Sequence, residues 1–262
     1  MTATPEKFYG AALERGPLYL RAEDGTYRVV PLKQWLGPLE TADAGVLDRA
    51  LGPVLDVGCG PGRHVLALAQ RGVLAVGVDV TPAAVRFARC RGATVLLGSV
   101  FAPVPGAGHW RTALLLDGNI GIGGRPVALL GRLRDLLRPD GRVLCELNAP
   151  GSPTRSELVA LEDRDRRRSA WFPWARVSVD GIGLLASRAG MSVAETWHHD
   201  GRWFARLGAS LTTQCQTAAA PPAPERQAAT APPAGAAAVQ PPRRRRTRAE
   251  RRAARCVRSP PW

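Results

Sequence analysis

Val54-Leu55-Asp56-Val57-Gly58-Cys59-Gly60-Pro61-Gly62 decides how this chain is read. Three apolar residues around one acid make a short run with the character of a buried strand. Glycines at alternate positions then make a turn in which absent side chains let backbone N–H groups, and the N-terminus of the helix that follows, approach a ligand closely. Alone, a glycine turn of this kind indicates only a nucleotide-like ligand on a Rossmann-type sheet.

The pattern continues outward. Between about residues 53 and 147, β-branched or Leu-rich runs alternate with helical stretches, as in a parallel sheet covered on both faces. After the strand at 54–57 a helix is expected from Gly62 to Gln70, stopped by Arg71-Gly72. Leu74 to Val78 reads as the second strand. Thr81 as N-cap with Pro82 opens the next helix, which ends near Gly92. Thr94 to Leu97 and Ala113 to Leu116 read as strands, Pro126 to Leu137 as a helix, and Pro139-Asp140-Gly141 as a turn into a fifth strand, Arg142 to Leu147. A helix from Asp180 to Ala189, a strand from Met191 to Trp197, a turn His198-His199-Asp200-Gly201 and a last run from Arg202 to Leu207 predict a terminal antiparallel hairpin. The expected fold is α/β: a doubly wound, mostly parallel, seven-stranded sheet with that hairpin at its end. Residues 1–50 are expected to form a small N-terminal cap, with short strands around Asp24-Gly25, and 51–211 the ligand-binding domain. Residues 149–178 break the rhythm and read as a lid-like insertion.

The net charge is +14, and more than half of it lies in residues 212–262, where ten arginines and no lysine stand against Glu225 and Glu250. The Ala/Pro-rich stretch that carries them buries too little apolar surface to order itself, so a disordered, basic C-terminal tail is expected. It has Trp262 as its single aromatic, which does not favour selective nucleic-acid reading, although counterion release leaves non-specific binding open. Five cysteines are scattered, without Cys-x-x-Cys or Cys/His ligand spacing, so neither a disulfide framework nor a metal site is expected. No basic stretch leads into an apolar run at the N-terminus and no window spans a bilayer, giving a cytoplasmic, non-membrane expectation.

The string Asp56-Val57-Gly58-Cys59-Gly60-Pro61-Gly62 resembles the first motif of class I S-adenosylmethionine-dependent methyltransferases, and Val76 to Val85, VGVDVTPAAV, is similar to their second. The resemblance covers about Asp56 to Glu146 and reaches Leu207 through the hairpin. It implies S-adenosylmethionine as cofactor. Asp56, Gly58, Cys59, Gly60 and Gly62 would lie against its methionyl and ribose part, and Asp79 with Val80 at the end of the second strand would bind the ribose hydroxyls, since a carboxylate accepts two hydrogen bonds there. Ser99 and Val100 fall where the family meets the adenine; Ser99 stands where Asp is more usual, and a hydroxyl can still donate or accept. Asp117 and Gly118, at the end of the fourth strand, would complete the cofactor site. A nicotinamide dehydrogenase would carry G-x-G-x-x-G, and here Arg63 occupies the last glycine's place.

For catalysis the residues offer Asp117, Asn119, His198 and His199, because ligands in doubly wound sheets bind at the carboxyl ends of strands. His64 is read as solvated or as bordering the cofactor carboxylate. Tyr9, Asn119, Trp171, Phe172 and Trp174 are the candidate acceptor pocket, and the mixed charges from Glu162 to Arg168 read as a solvated, salt-bridged turn. Neither the Asn/Asp-Pro-Pro-Tyr/Phe pattern nor a Pro-Cys nucleophile is present, which counts against nucleic-acid bases. The expected function is methyl transfer to a small molecule by direct in-line displacement; the alternatives are a nucleic-acid or protein methyltransferase anchored by the Arg-rich tail and a non-catalytic cofactor-binding module. No motif specifies the acceptor or the oligomeric state.

Overall fold

The computed structural model describes residues 3–210, so the tail expected at 212–262 lies outside the described residues. The chain opens with α1 (Pro5–Arg15), β1 (Leu18–Ala22), β2 (Tyr27–Val30), α2 (Leu32–Leu36) and α3 (Thr41–Leu47). The Rossmann-like part follows: β3 (Val54–Val57), α4 (Arg63–Gln70), β4 (Ala75–Asp79), α5 (Pro82–Cys90), β5 (Val95–Leu97), β6 (Trp110–Leu115), a 3-10 turn (Asn119–Gly121), α6 (Pro126–Leu136) and β7 (Leu137–Leu147). Then come β8 (Arg155–Asp163), β9 (Phe172–Arg176), α7 (Val179–Arg188), β10 (Met191–His199) and β11 (Arg202–Ala209).

All four residues of β3 are buried, as befits a strand paired on both edges and covered on both faces. It is central in a seven-stranded sheet of order β10-β11-β7-β6-β3-β4-β5, parallel except where β11 lies antiparallel between β7 and β10. One face packs Leu55, Leu115 and Val143 against Leu129, Leu133 and Leu136 of α6 and Ile182 and Ala186 of α7. The other packs Val54, Leu114 and Leu144 against Val46 of α3, Leu68 of α4 and Val85 of α5. The strand order reverses between β3 and β6. Their following loops therefore diverge and leave a crevice at the carboxyl edge of the sheet.

Three local details differ from the sequence reading. Pro139-Asp140-Gly141 does not precede the fifth strand but lies within it: β6 pairs Trp110 with Leu137 and then Thr112 with Arg142, so the turn survives as an excursion of β7 opposite a single residue. The terminal hairpin turns on two residues, Asp200 (φ 51°) and Gly201 (φ 75°), not four, which puts His198 and His199 in β10. Positive φ at both central positions matches the right-handed twist of the flanking strands.

The third difference matters most for the site. The cap and the insertion, read as separate pieces, share one four-stranded antiparallel sheet of order β2-β1-β8-β9. Leu18 pairs with Asp163 and Leu20 with Leu161 across that join. Its small core, Leu18, Leu32 and Leu161 with Tyr9, Trp35 and Phe172, lies beneath α1. The expected salt-bridged turn is present, with Arg166 and Arg168 on Glu162 and Arg167 on Asp163.

Candidate active site

The crevice widens into a cavity of about 530 Å³, within the range of small-molecule sites. Its floor is the carboxyl edge of the parallel sheet, and its roof is the four-stranded sheet with α1. On the floor Asp79 ends β4. Its Oδ2 accepts the Gly60 N–H at 2.8 Å and its Oδ1 the Thr81 N–H at 2.7 Å. Burial raises the Asp79 carboxyl above the ordinary range, against the lowering effect of those two amides. Each oxygen keeps a further acceptor position.

Gly58, Cys59, Gly60, Asp79, Val80, Ser99, Val100, Asp117, Gly118 and Asn119 all line the cavity, as do Tyr9, Phe172 and Trp174. Asp56 and Gly62 do not. Asp56 is buried under the turn beside His64. Gly62, at φ 80°, is glycine because a Cβ there would come within 3.0 Å of Ala88 and 3.1 Å of Ala93, so its role is packing of the turn against α5. Trp171 is 45% exposed and lies outside the cavity wall. His198 and His199 are exposed and absent from it as well; the His198 ring packs on Trp203.

Asn119 also departs from its expected part. Its Nδ2 donates to the carbonyls of Val57 and Gly58, both at 2.9 Å, which ties the β6 loop to the glycine turn. The amide is committed to shape. Burial, and then the charges of Asp56 and Asp79, push the Cys59 thiol far up.

Residues 54–141 match the family model described as a methyltransferase domain. That stretch is similar to a methyltransferase domain. Among solved structures, the fold is similar to a SAM-dependent methyltransferase from Bacteroides fragilis in complex with S-adenosyl-L-homocysteine (TM-score 0.66, 23% identity, 80% of this chain and 98% of that one). It is similar also to the CcbJ methyltransferase from Streptomyces caelestis (TM-score 0.52, 16% identity, 67% and 92%). A third likeness is the glycopeptide N-methyltransferase MtfA complexed with S-adenosyl-L-methionine (TM-score 0.50, 15% identity, 65% and 93%). At these identities the likeness is one of fold, here that of the class I, Rossmann-like methyltransferases.

Beside the glycine turn lies a charged cluster that local sequence did not reveal. Arg63, whose identity had served to exclude a dehydrogenase, is 4% exposed and reaches both Asp43 and Asp117. Arg202, the first residue of β11, donates to Asp43 at 2.7 Å and to both oxygens of Glu146, at 2.9 and 2.7 Å. Glu146 Oε2 in turn accepts the Asp117 N–H at 2.7 Å, holding that residue in a left-handed conformation at φ 57°. Asp43 lies in the cap helix α3, far in sequence from both arginines. Asp117 was the one member singled out in the sequence, as an acid at the end of the fourth strand.

His64 is not solvated: it is 3% exposed, with Nε2 3.6 Å from Asp43 and Nδ1 3.7 Å from Asp56. Those distances make ion pairs and exceed ordinary hydrogen bonds. Burial by itself would keep the imidazole neutral. Asp43 and Asp56 outweigh it and bring its pKa up to about 9. Burial likewise works to raise Asp43, but His64, Arg63 and Arg202 hold its carboxyl far below the usual range. Among the described residues no group of carboxylates, histidines or cysteines has the arrangement of a metal site, and no helix is long and apolar enough to cross a membrane.

Proposed function

We propose that this protein transfers a methyl group from S-adenosylmethionine to a small-molecule acceptor held under the four-stranded sheet. The supporting observation is a single cavity that runs from the glycine turn and Asp79 to an aromatic and aliphatic roof. The floor fits such a cofactor. A Cβ added at Gly98 or Gly118 would meet nothing within 4 Å, so both line open space in which a ligand can lie against backbone. Asp79 offers its remaining acceptor positions to the two ribose hydroxyls, Gly98 to Val100 border the base, and Asp117 and Gly118 flank the amino-acid end. Tyr9 stands over Gly60 and closes the site from above.

Bound there, S-adenosylmethionine supplies an electrophilic methyl group for in-line displacement, with a neutral sulfide as leaving group. The chain's own contribution is to position the acceptor and keep water out. His64 borders the cavity, but Asp43 and Asp56 keep it protonated near neutral pH, so it accepts no proton. Asn119 is bound to two carbonyls, and Asp117 is neutralised by Arg63. None of these three groups is free to take a proton, which suits an acceptor whose nucleophilic atom already carries an available lone pair.

Calorimetric titration with S-adenosylhomocysteine tests the reading. The wild type is expected to bind, and Asp79→Asn, which keeps shape but removes acceptor capacity, to bind at least about tenfold more weakly. Equal affinity in the two proteins would overturn it.

A further inference from the structure

The roof sheet is charged at one end of the face that looks into the cavity. Strand alternation puts Leu20, Arg28, Leu161, Phe172 and Trp174 on that face, and all five line the cavity. Glu157 stands opposite Trp174, and Arg176 opposite Arg155, so the same face continues past the aromatics into charge. Arg28 reaches across β1 to Glu157 at 2.8 Å. Arg155 holds the same Glu157 and also Asp24, both at 2.9 Å. Among the described residues Arg176 has no ion-pair partner, and its buried Nε has no hydrogen-bond partner. Three guanidinium groups therefore share two carboxylates at the end of an apolar slot. Burial and the nearby charge of Arg176 push Arg28 below its usual range, in keeping with a site short of one negative charge.

We infer that the acceptor is a planar, largely apolar molecule bearing a carboxylate, which Arg28 receives with Arg176 behind it while the ring lies between Trp35 and Trp174. The planar donor fork of arginine matches a carboxylate, and a neutral group of the same shape offers no charge for Arg28 and Arg176 to pair with. The two arginines are thus specificity determinants. This rests on the acceptor lying under the roof, as proposed above.

Benzoate and its neutral isostere benzamide are the probes, titrated at low ionic strength with tryptophan fluorescence as readout, with and without S-adenosylhomocysteine. Benzoate is expected to bind at least about tenfold more tightly than benzamide. Arg28→Gln is expected to abolish that preference. Glu157→Gln removes the carboxylate that competes for Arg28 and is expected to tighten benzoate. Equal binding of the two probes, absence of benzoate binding, or a loss of benzoate binding in Glu157→Gln like that in Arg28→Gln would overturn the inference. Failure of S-adenosylhomocysteine to bind would count instead against the cofactor reading, which the separate calorimetry detects.

Discussion

Arg63 Nη2 donates to both carboxylate oxygens of Asp117, at 2.8 and 3.0 Å, while its other terminal nitrogen binds Asp43. One side chain thus joins the helix after the glycine turn, the loop after β6 and the cap helix α3. The three surround the crevice at the carboxyl edge of the sheet.

Removing that side chain leaves Asp43 and Asp117 without their shared counter-charge in a buried setting. Arg63→Ala is expected to destabilise the fold by about 3–5 kcal/mol. In thermal unfolding this corresponds to a Tm lowered on the order of 10 °C. A change within 1 °C would show that Arg202 alone suffices, and a double-mutant cycle of Arg63 with Arg202 measures their coupling.

The imidazole of His64 makes stability depend on pH in the alkaline direction. Its pKa is raised in the folded state from 6.5 to about 9. The stabilisation is therefore complete below pH 6.5 and is lost as the pH rises through about 9, because the unfolded chain gives up the proton first. Its size is on the order of 3 kcal/mol. Urea unfolding between pH 6 and 10 should show this decline in the wild type and a flatter profile in His64→Gln; parallel profiles would argue against a charged His64.

Asn119→Asp keeps size and shape but sets a carboxylate against the carbonyls of Val57 and Gly58, where an amide now donates. The turn must shift to relieve the repulsion. Affinity for S-adenosylhomocysteine is expected to fall about 10- to 100-fold, the equivalent of roughly 1–3 kcal/mol. Calorimetry that finds the variant indistinguishable from wild type would remove Asn119 as the clamp of the turn.

Gly121→Ala tests whether the roof is fitted to the floor. A Cβ at Gly121 would overlap the Ala175 carbonyl oxygen and lie 2.5 Å from Trp174 Nε1. Strand β9 must retreat, at a cost of about 1–3 kcal/mol. The variant is expected to show altered near-ultraviolet circular dichroism from the tryptophans while S-adenosylhomocysteine affinity stays within about twofold, since Trp174 belongs to the roof. A spectrum unchanged from wild type would mean that β9 does not press on this loop.

The strand at Val54–Val57, the glycine turn, the helix stops and Asp79 at the end of β4 were legible because each is a local pattern. A parallel core strand needs a run of apolar residues, and a close βα turn needs glycine, whatever the rest of the chain does. Other parts depend on residues far apart. The pairing of β1 with β8 joins residues about 140 positions apart, and nothing in either strand names its partner. Without it the roof read as two unrelated pieces, and Trp171 was indistinguishable from Phe172 and Trp174. A shift of one position along a strand moves a side chain to the other face, so only the sheet could sort them.

The charged cluster shows the same division. Arg63, Asp43, Glu146 and Arg202 are ordinary charged residues in sequence, and their burial becomes tolerable only when folding brings them together. By itself, then, the sequence determined the α/β class, the succession of strands and helices along the chain and the residues around the glycine turn, through patterns that span a few residues. The tertiary structure decided which of those residues face the cavity, that His64 and Asp56 lie beneath it, and that the cap and insertion make its common roof. Facing direction, burial and charge pairing are set by contacts between distant segments, and such contacts leave no local mark in a single chain.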